Sequence, residues 1–416
     1  MSCETASRNA TAPAPAIAPG VERLDAAAVA RGYRINPRIP ATVPGFDAPF
    51  FQAGLAGYSD AAMRIIARRH GCPYCVTEAL LDRTLLAGGR GFAKADLGEL
   101  EDNIPGGAED RPLCGQIMGS DPDEMARAAV RMVEQGRWEG RTKGTTAKDS
   151  QPVHTDITGP EEDRSLAFAS IDVNLACPVK KIKSKARGGH WLRDPEGALE
   201  ILKAVREAVP REVVTTLKIR RGSDDSPEAA RNFERLFEGA YELGYAWATV
   251  HGRTVEQKYV GPSRWTFLRD LVARHPDKVI FGSGDVWNVE DIFLMLGYTG
   301  VHAVSVARGC IGDPWIFRRA RQMMAGETPT WPTIAEQRET LLQHFRLSAA
   351  VNGENAAGKM MRKFGIRFAR HHPQGEAVRK RFIKVSTTAE WEGVLAEYYG
   401  EDAADASLNG HTAAAG

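Results

Sequence analysis

The chain has 416 residues, with 54 Lys and Arg against 53 Asp and Glu, for a formal net charge of +1. Hydrophobic residues make up 43%, enough for a buried core, which excludes wholesale disorder. The balanced charge excludes a polyanion-binding tail protein but leaves room for a local basic patch, and no apolar run reaches the ~18–20 residues of a membrane span. At roughly 100–200 residues per domain the length suggests two domains, or one large domain plus a small one. Six cysteines in a chain this long do not form a disulfide framework, so a reduced, cytoplasmic protein is expected.

Residues 1–44 begin with an Ala/Pro/Thr-rich stretch that lacks a basic region followed by an apolar one, and they are expected to form a disordered or irregular leader. Short apolar runs rich in β-branched residues follow, starting at Phe46, Pro73, Pro112, Ser170, Glu212, Tyr245, Lys278 and Val301. Such runs read as buried parallel strands. Helical patterns lie between most of them: Asp60–His70 with Ser59 as cap, Asp121–Gln135, and Asp194–Val209 with Asp194 capping and Pro195 in the first turn. Further helices start near Ser226, Pro262, Asn288 and Asp313. This alternation predicts an α/β fold, a (β/α)8 TIM barrel over residues 45–326. A polar insertion at 137–168 without hydrophobic period swells it. After about Thr330 the pattern is helical only, giving a small C-terminal all-α domain over 327–400 and a tail at 401–416.

In such barrels the active site gathers at the C-terminal ends of the strands. The last residues of the runs are Gln116, Asn174 with Cys177, Lys218 with Arg220, His251 with Arg253, Ser283-Gly284-Asp285 and Ala307-Arg308. The Gly-rich turns GSGDV and ARGCIG suit a phosphate, with Arg308 adding charge, or are ordinary tight turns. A Lys at the position of Lys218 faces an anion or an electron-rich ring, because an unpaired buried ammonium is costly. His251 is a donor to the same ligand or a core histidine. Cys177, in NLACP, is placed to act as nucleophile or general acid; a buried small hydrophobe is the plain alternative. The next stretch carries Lys180, Lys181, Lys183, Lys185 and Arg187, which read as an anion funnel for a large substrate or as a solvated face.

Taken together, AGLAGYSD, TEAL, GQIMGSDP, DVNLACPVKKI…GG, TLKIRRG, TVHGRT, SGDV, ARGCIGDPWIF and MRKFGIRFAR…RKRFIKV resemble the tRNA-dihydrouridine synthases, nearest to the bacterial B-type branch. The resemblance runs from about Pro49 to Tyr399 apart from the insertion. It implies a flavoprotein that binds FMN through Gly54, Leu55, Ala56, Gln116, Lys218, His251, Ser283, Gly284, Asp285, Ala307 and Arg308. It also implies NADPH (or NADH) as reductant, hydride transfer to C6 of a tRNA uridine, and Cys177 as proton donor to C5. A thiol of pKa near ~8.5 is protonated at neutral pH and suits that role. Asn174, Lys180 and Arg253 would position the substrate, a base that must leave its stack to reach the barrel. The sequence departs from the family pattern at Gly54 for proline, Ser283 for asparagine and Ala307 for glycine.

Between Lys359 and Lys384 nine bases face one acid, Glu376, with Phe364, Ile366, Phe368 and Phe382 interleaved. Together with the resemblance, this makes the helical domain a tRNA-binding surface through Lys363, Arg367, Arg370 and Lys384, aided by Lys181, Lys183 and Lys185. No metal, membrane or obligate protein partner is implied, and a monomer is expected. Cys72-Pro-Tyr-Cys75 reads as structural rather than redox or zinc-binding, since no second pair accompanies it. Cys114 and Cys310 read as packing residues. Three other functions fit parts of the sequence: a flavin barrel acting on free pyrimidines, a catalytically impaired tRNA-binding paralogue, and a thiol oxidoreductase built on CPYC.

Overall fold

A computed structural model describes residues 18–87, 108–135, 168–178 and 188–400. The expected insertion (but for its last residue), the tail, residues 1–17 and the basic run Lys180–Arg187 lie outside the described residues. The chain opens with α1 (Ala26–Gly32) and α2 (Arg38–Thr42), then β1 (Phe50–Gln52), α3 (Ala61–Arg69), β2 (Cys75–Val76), β3 (Leu80–Leu81) and α4 (Asp82–Ala87). It continues through β4 (Leu113–Met118), α5 (Pro122–Gln135), β5 (Ser170–Leu175), α6 (Pro195–Ala208), β6 (Val214–Arg220), α7 (Pro227–Glu242) and β7 (Ala248–His251). Next come α8 (Trp265–Arg274), β8 (Ile280–Ser283), α9 (Val289–Thr299), β9 (Ala303–Val306) and α10 (Trp315–Ala325). The last part is helical: α11 (Ile334–Asn352), α12 (Glu354–Phe368), α13 (Gly375–Lys384) and α14 (Thr388–Tyr398).

All strand pairings are parallel, and β1 pairs with both β2 and β9 while β2 pairs with β4, so the sheet closes into a barrel. The second strand is interrupted. Val76 pairs with Cys114 and Leu80 with Ile117, so four steps on one side meet three on the other, a one-residue bulge. Read as one bulged strand, β2 and β3 make the barrel the expected eight-stranded TIM barrel. The helices start where the sequence signals them: Asp194 accepts from Gly197 N and Ser226 from Ala229 N, each with proline at the first turn. One cap differs from expectation. Asp60, not Ser59, caps α3 by accepting from Met63 N, because Ser59 Oγ is taken by Leu55 N at 2.8 Å.

The leader is the main correction. Residues 18–44, expected to be disordered or irregular, are folded onto the barrel. Val21 and Ala30 are buried in the main core, and Tyr33 Oη donates to His302 O at 3.0 Å. Ile39, Val43 and Phe46 join Phe51, Tyr74, Trp247 and Phe281 in a second apolar cluster inside the sheet. Phe46 stacks on Tyr74 at 4.6 Å and meets Phe281 edge-on at 5.8 Å. This segment therefore closes the N-terminal end of the barrel, burying rings that water would otherwise reach. Removing one such ring leaves a cavity that rigid strands cannot collapse, so Phe46→Ala is expected to lower the unfolding free energy by about 3–5 kcal/mol, read as an earlier midpoint in chemical denaturation.

Candidate active site

The register of the parallel strands builds the mouth. Gln116 pairs with Asp172, Asp172 with Thr216, Asn174 with Lys218, Arg220 with His251, and His251 with Ser283. In a strand, residues two apart share a face, so Asp172 and Asn174 point the same way, as do Thr216 and Lys218. The barrel interior is lined by Gly54, Gln116, Asp172, Thr216 and Lys218 among others. These polar groups form one hydrogen-bonded chain. Thr216 Oγ1 donates to Asp172 Oδ1 at 2.7 Å, Gln116 Nε2 donates to Asp172 Oδ2 at 2.8 Å, and Asn174 Nδ2 donates to Gln116 Oε1 at 2.8 Å. Asn174 Oδ1 in turn accepts from Ala176 N at 2.9 Å, one residue before the half-exposed Cys177.

Positive charge gathers above this chain, and among the described residues few carboxylates match it. Lys218 opens partly into the mouth and makes no hydrogen bond or ion pair among the described residues. Burial, then Arg220, lowers its pKa from 10.5 to about 8, against the pull of Asp172 and Cys177. Arg220 donates to the carbonyls of Ala176, Thr254 and Lys258 at 2.8 Å each, and burial brings it to about 10. Arg308 lies 4.4 Å over the Trp287 ring and 5.2 Å from that of Tyr259. Burial and the surrounding cations hold His251 well below its ordinary value, so it is neutral at pH 7. Its Nε2 is sealed from solvent and lacks a partner, while Nδ1 lies 3.3 Å from Ser283 Oγ. A buried ring nitrogen without a partner, and several cations without anions among the described residues, suit an anionic, hydrogen-bonding ligand.

The two turns expected to hold a phosphate are shaped for close approach. Gly284 has φ 114°, and a Cβ there would stand 2.3 Å from Ser263 Oγ. Asp285 follows in the left-handed region at φ 57°. Ala307, where the family resemblance has glycine, has φ −100° and so needs no glycine. A Cβ at Gly54 would stand 2.3 Å from Thr77 O and 3.2 Å from Gln116 Oε1, so a larger residue fits there only if this loop shifts. Leu55 is half-buried and Ala56 exposed at the same loop. These residues fit a flavin: backbone and Arg308 toward a phosphate, Lys218, His251 and Gln116 toward a ring.

Several expected site residues have structural partners. Arg253, expected to position substrate, is buried and donates to both Asp285 oxygens at 2.7 and 2.8 Å and to Gly261 O at 2.8 Å. Asp285 also accepts from Ser263 N at 2.6 Å, so this pair shapes the turn. Lys363 donates to Gly57 O in the loop after β1, and Arg370 donates to Gly309 O at 3.1 Å and pairs with Asp313 at 3.2 Å. Both therefore pin α12 and the turn after it beside the mouth, while Arg367 and Lys384 are exposed. Lys180, Lys181, Lys183 and Lys185 lie outside the described residues. Cys72 and Cys75 are buried free thiols with Sγ atoms 3.7 Å apart, and Cys114 and Cys310 are buried. Asp172, Thr216 and Tyr259 were not singled out from sequence. The alternation Ser170, Asp172, Asn174 along one face of β5 is the signal that points to Asp172.

A family model for dihydrouridine synthase matches residues 163–405. The chain belongs to the dihydrouridine synthase family. It is 30% identical over 355 residues to tRNA-dihydrouridine synthase B of Shewanella oneidensis, covering 83% of this chain and 94% of that one. It is 28% identical over 351 residues to a probable tRNA-dihydrouridine synthase of Treponema pallidum, covering 83% and 91%. Among solved structures, histamine dehydrogenase from a Rhizobium species aligns with TM-score 0.46 and 13% identity over 78% of this chain and 51% of that one. A likeness of that degree says nothing about chemistry. The dihydrouridine synthases are oxidoreductases, and the mouth of this member has the charge pattern for a flavin.

The folded-state pKa of Lys218 has a consequence for stability. Between about 8 and its ordinary 10.5 the unfolded chain binds the proton that the folded chain has released. Stability of the cofactor-free protein therefore gains from Lys218 as pH rises through that window. In Lys218→Met this rise is expected to be smaller than in wild type, measured as denaturation midpoints at the two ends of the window; equal rises would contradict the assignment.

Proposed function

We propose that this dihydrouridine synthase is FMN-dependent and reduces the C5–C6 bond of specific tRNA uridines, with Cys177 as the proton donor and NADPH as the source of electrons. The observation that carries the reading is the half-exposed Cys177 beyond the end of β5, next to Ala176, whose carbonyl accepts from Arg220 and whose N–H is held by Asn174, beside a mouth whose cations lack matching anions among the described residues. Bound FMN would supply the hydride that adds at C6. The protein's own groups do the rest. The Cys177 S–H bond breaks and its proton goes to C5, so hydride and proton together saturate the bond. Water then restores the thiol. Asn174, locked between Gln116 and Ala176 N, keeps one N–H free for a uracil carbonyl. His251, with Nδ1 accepting from Ser283, presents Nε2–H to the ring, and Lys218 holds negative charge there. Gly284, Asp285, Ala307 and Arg308 would take the phosphate.

The helical domain supports a tRNA rather than a free pyrimidine as substrate. It is pinned beside the mouth at Gly57 and Gly309, and a free base needs no such surface. Arg367 and Lys384 offer exposed charge to a phosphate backbone.

Cys177→Ala is expected to keep its yellow colour and its fold but to lose tRNA dihydrouridine formation by at least about a hundredfold, as removal of a general acid does. Undiminished product, quantified by mass spectrometry of digested tRNA, would sink the role. Neutralising Arg367 and Lys384 together is expected to weaken tRNA binding and to flatten its salt dependence, by roughly one unit of slope for each phosphate no longer neutralised. Filter binding across a salt series checks this, and an unchanged slope would remove them from the RNA surface.

A further inference from the structure

The reaction just described uses Gln116, Asn174 and Lys218 but not the acid beneath them. Asp172 is 4% exposed and lies one layer down the barrel from the mouth. Burial raises its pKa from 3.8 to about 6, although Thr216, Gln116 and Lys218 pull the other way. At neutral pH it is thus a buried carboxylate, which is costly unless it is fully hydrogen-bonded and faces a cation. Thr216 and Gln116 are the donors, and Lys218, two residues along the same face of β6 from Thr216, the register partner of Asp172, is the cation. The groups facing it are Gln116 and Cys114 from β4, Thr216 and Lys218 from β6, and Tyr74 and Tyr245 further off. Lys218 in turn is faced by Arg220 on its own strand, Cys177 beyond β5 and His251 on β7.

We propose that Asp172 is a positioning residue for the reaction: its carboxylate orients the Gln116 and Asn174 amides through one hydrogen-bonded chain and holds Lys218 in its charged form. This rests on the reading above, in which Lys218 and Gln116 face the cofactor and Asn174 the base. A carboxylate only accepts hydrogen bonds, so Gln116 must turn its NH2 down toward Asp172 and its oxygen up toward Asn174. Asn174 must then give an N–H to Gln116 and its oxygen to Ala176 N. The carboxylate sets the polarity of the chain from below as the backbone does from above. Its charge is the buried anion offsetting Lys218, while Arg220 and His251 crowd that ammonium with positive charge or a desolvating ring. Without it, Lys218 would release its proton near neutral pH and cease to attract an anionic ligand.

The test uses full-length protein freed of cofactor, so that it does not depend on turnover. The pH dependence of Lys218 acylation by an activated ester, read by peptide mass spectrometry, is expected to have a midpoint near 8 in wild type. Asp172→Asn keeps the shape, removes the charge and leaves a single acceptor oxygen, and is expected to move that midpoint down by about one pH unit. Asp172→Glu, which keeps the charge, is expected to move it less. An unmoved midpoint in Asp172→Asn overturns the proposal. A second measurement needs no variant. In wild-type protein labelled at Asn and Gln, the side-chain amide signals of Gln116 and Asn174 are expected to shift together with a midpoint near 6. Amide signals that stay fixed through that range also overturn it. A Cys177→Ala variant that still made product would count against the tRNA reaction and leave both readouts standing, and an unmoved Lys218 midpoint would leave that reaction untouched.

Discussion

Everything at the mouth depends on the lateral alignment of β5 with β6, where six successive residue pairs from Ser170–Val214 to Leu175–Ile219 hold two strands in one register. A slip of one residue would turn every side chain of one strand to the opposite face. Asp172 and Asn174 would then face the helices, and Ile171 and Val173 the barrel. Apolar burial on the outer face of these strands therefore fixes the polar inner face. The residues that make the core and the residues that do the chemistry are two sides of one constraint.

That constraint creates an electrostatic imbalance inside the barrel. Lys218, Arg220, Arg253 and Arg308 converge on one opening, and among the described residues only Asp172 and Asp285 come near as anions. Asp285 is taken by Arg253, and Asp172 sits below. Arg220 is held by carbonyls and Arg308 by aromatic faces, which satisfy hydrogen bonds and quadrupoles but do not cancel charge. Such a site is less stable empty than filled. Its affinity for an anion is in part the relief of repulsion already present in the folded chain.

The barrel was legible in the sequence because most strands lie in short apolar runs, several of them rich in β-branched residues, and most helices carry their own caps. The rim residues were legible for the same reason, since they terminate those runs. The folded state of residues 18–44 was not. Its two helices are short; α1 is buried against α9 and α10, and α2 against Phe46, Tyr74 and Trp247, contacts that no local pattern announces. The role of Asp172 was hidden as well, because its donors Gln116 and Thr216 come from the neighbouring strands β4 and β6. Arg253 and Asp285 are 32 residues apart, so their pairing was invisible along the chain. Lys363 and Arg370 read in sequence as part of a tRNA-binding surface, and the docking of α12 and the turn after it against the loops after β1 and β9 is what shows them as fasteners.

The plug at the base of the barrel couples the start of the chain to its far end. Ile39, Val43 and Phe46 are made early, yet they share a cluster with Phe281 and Ala303. Beside them Phe50 pairs with Val304, the contact that closes the sheet. A growing chain therefore carries an unseated apolar segment until the last barrel strand has left the ribosome. During that interval the segment is exposed to wrong partners, and the seating of the plug and the closing of the barrel become a single late event in folding.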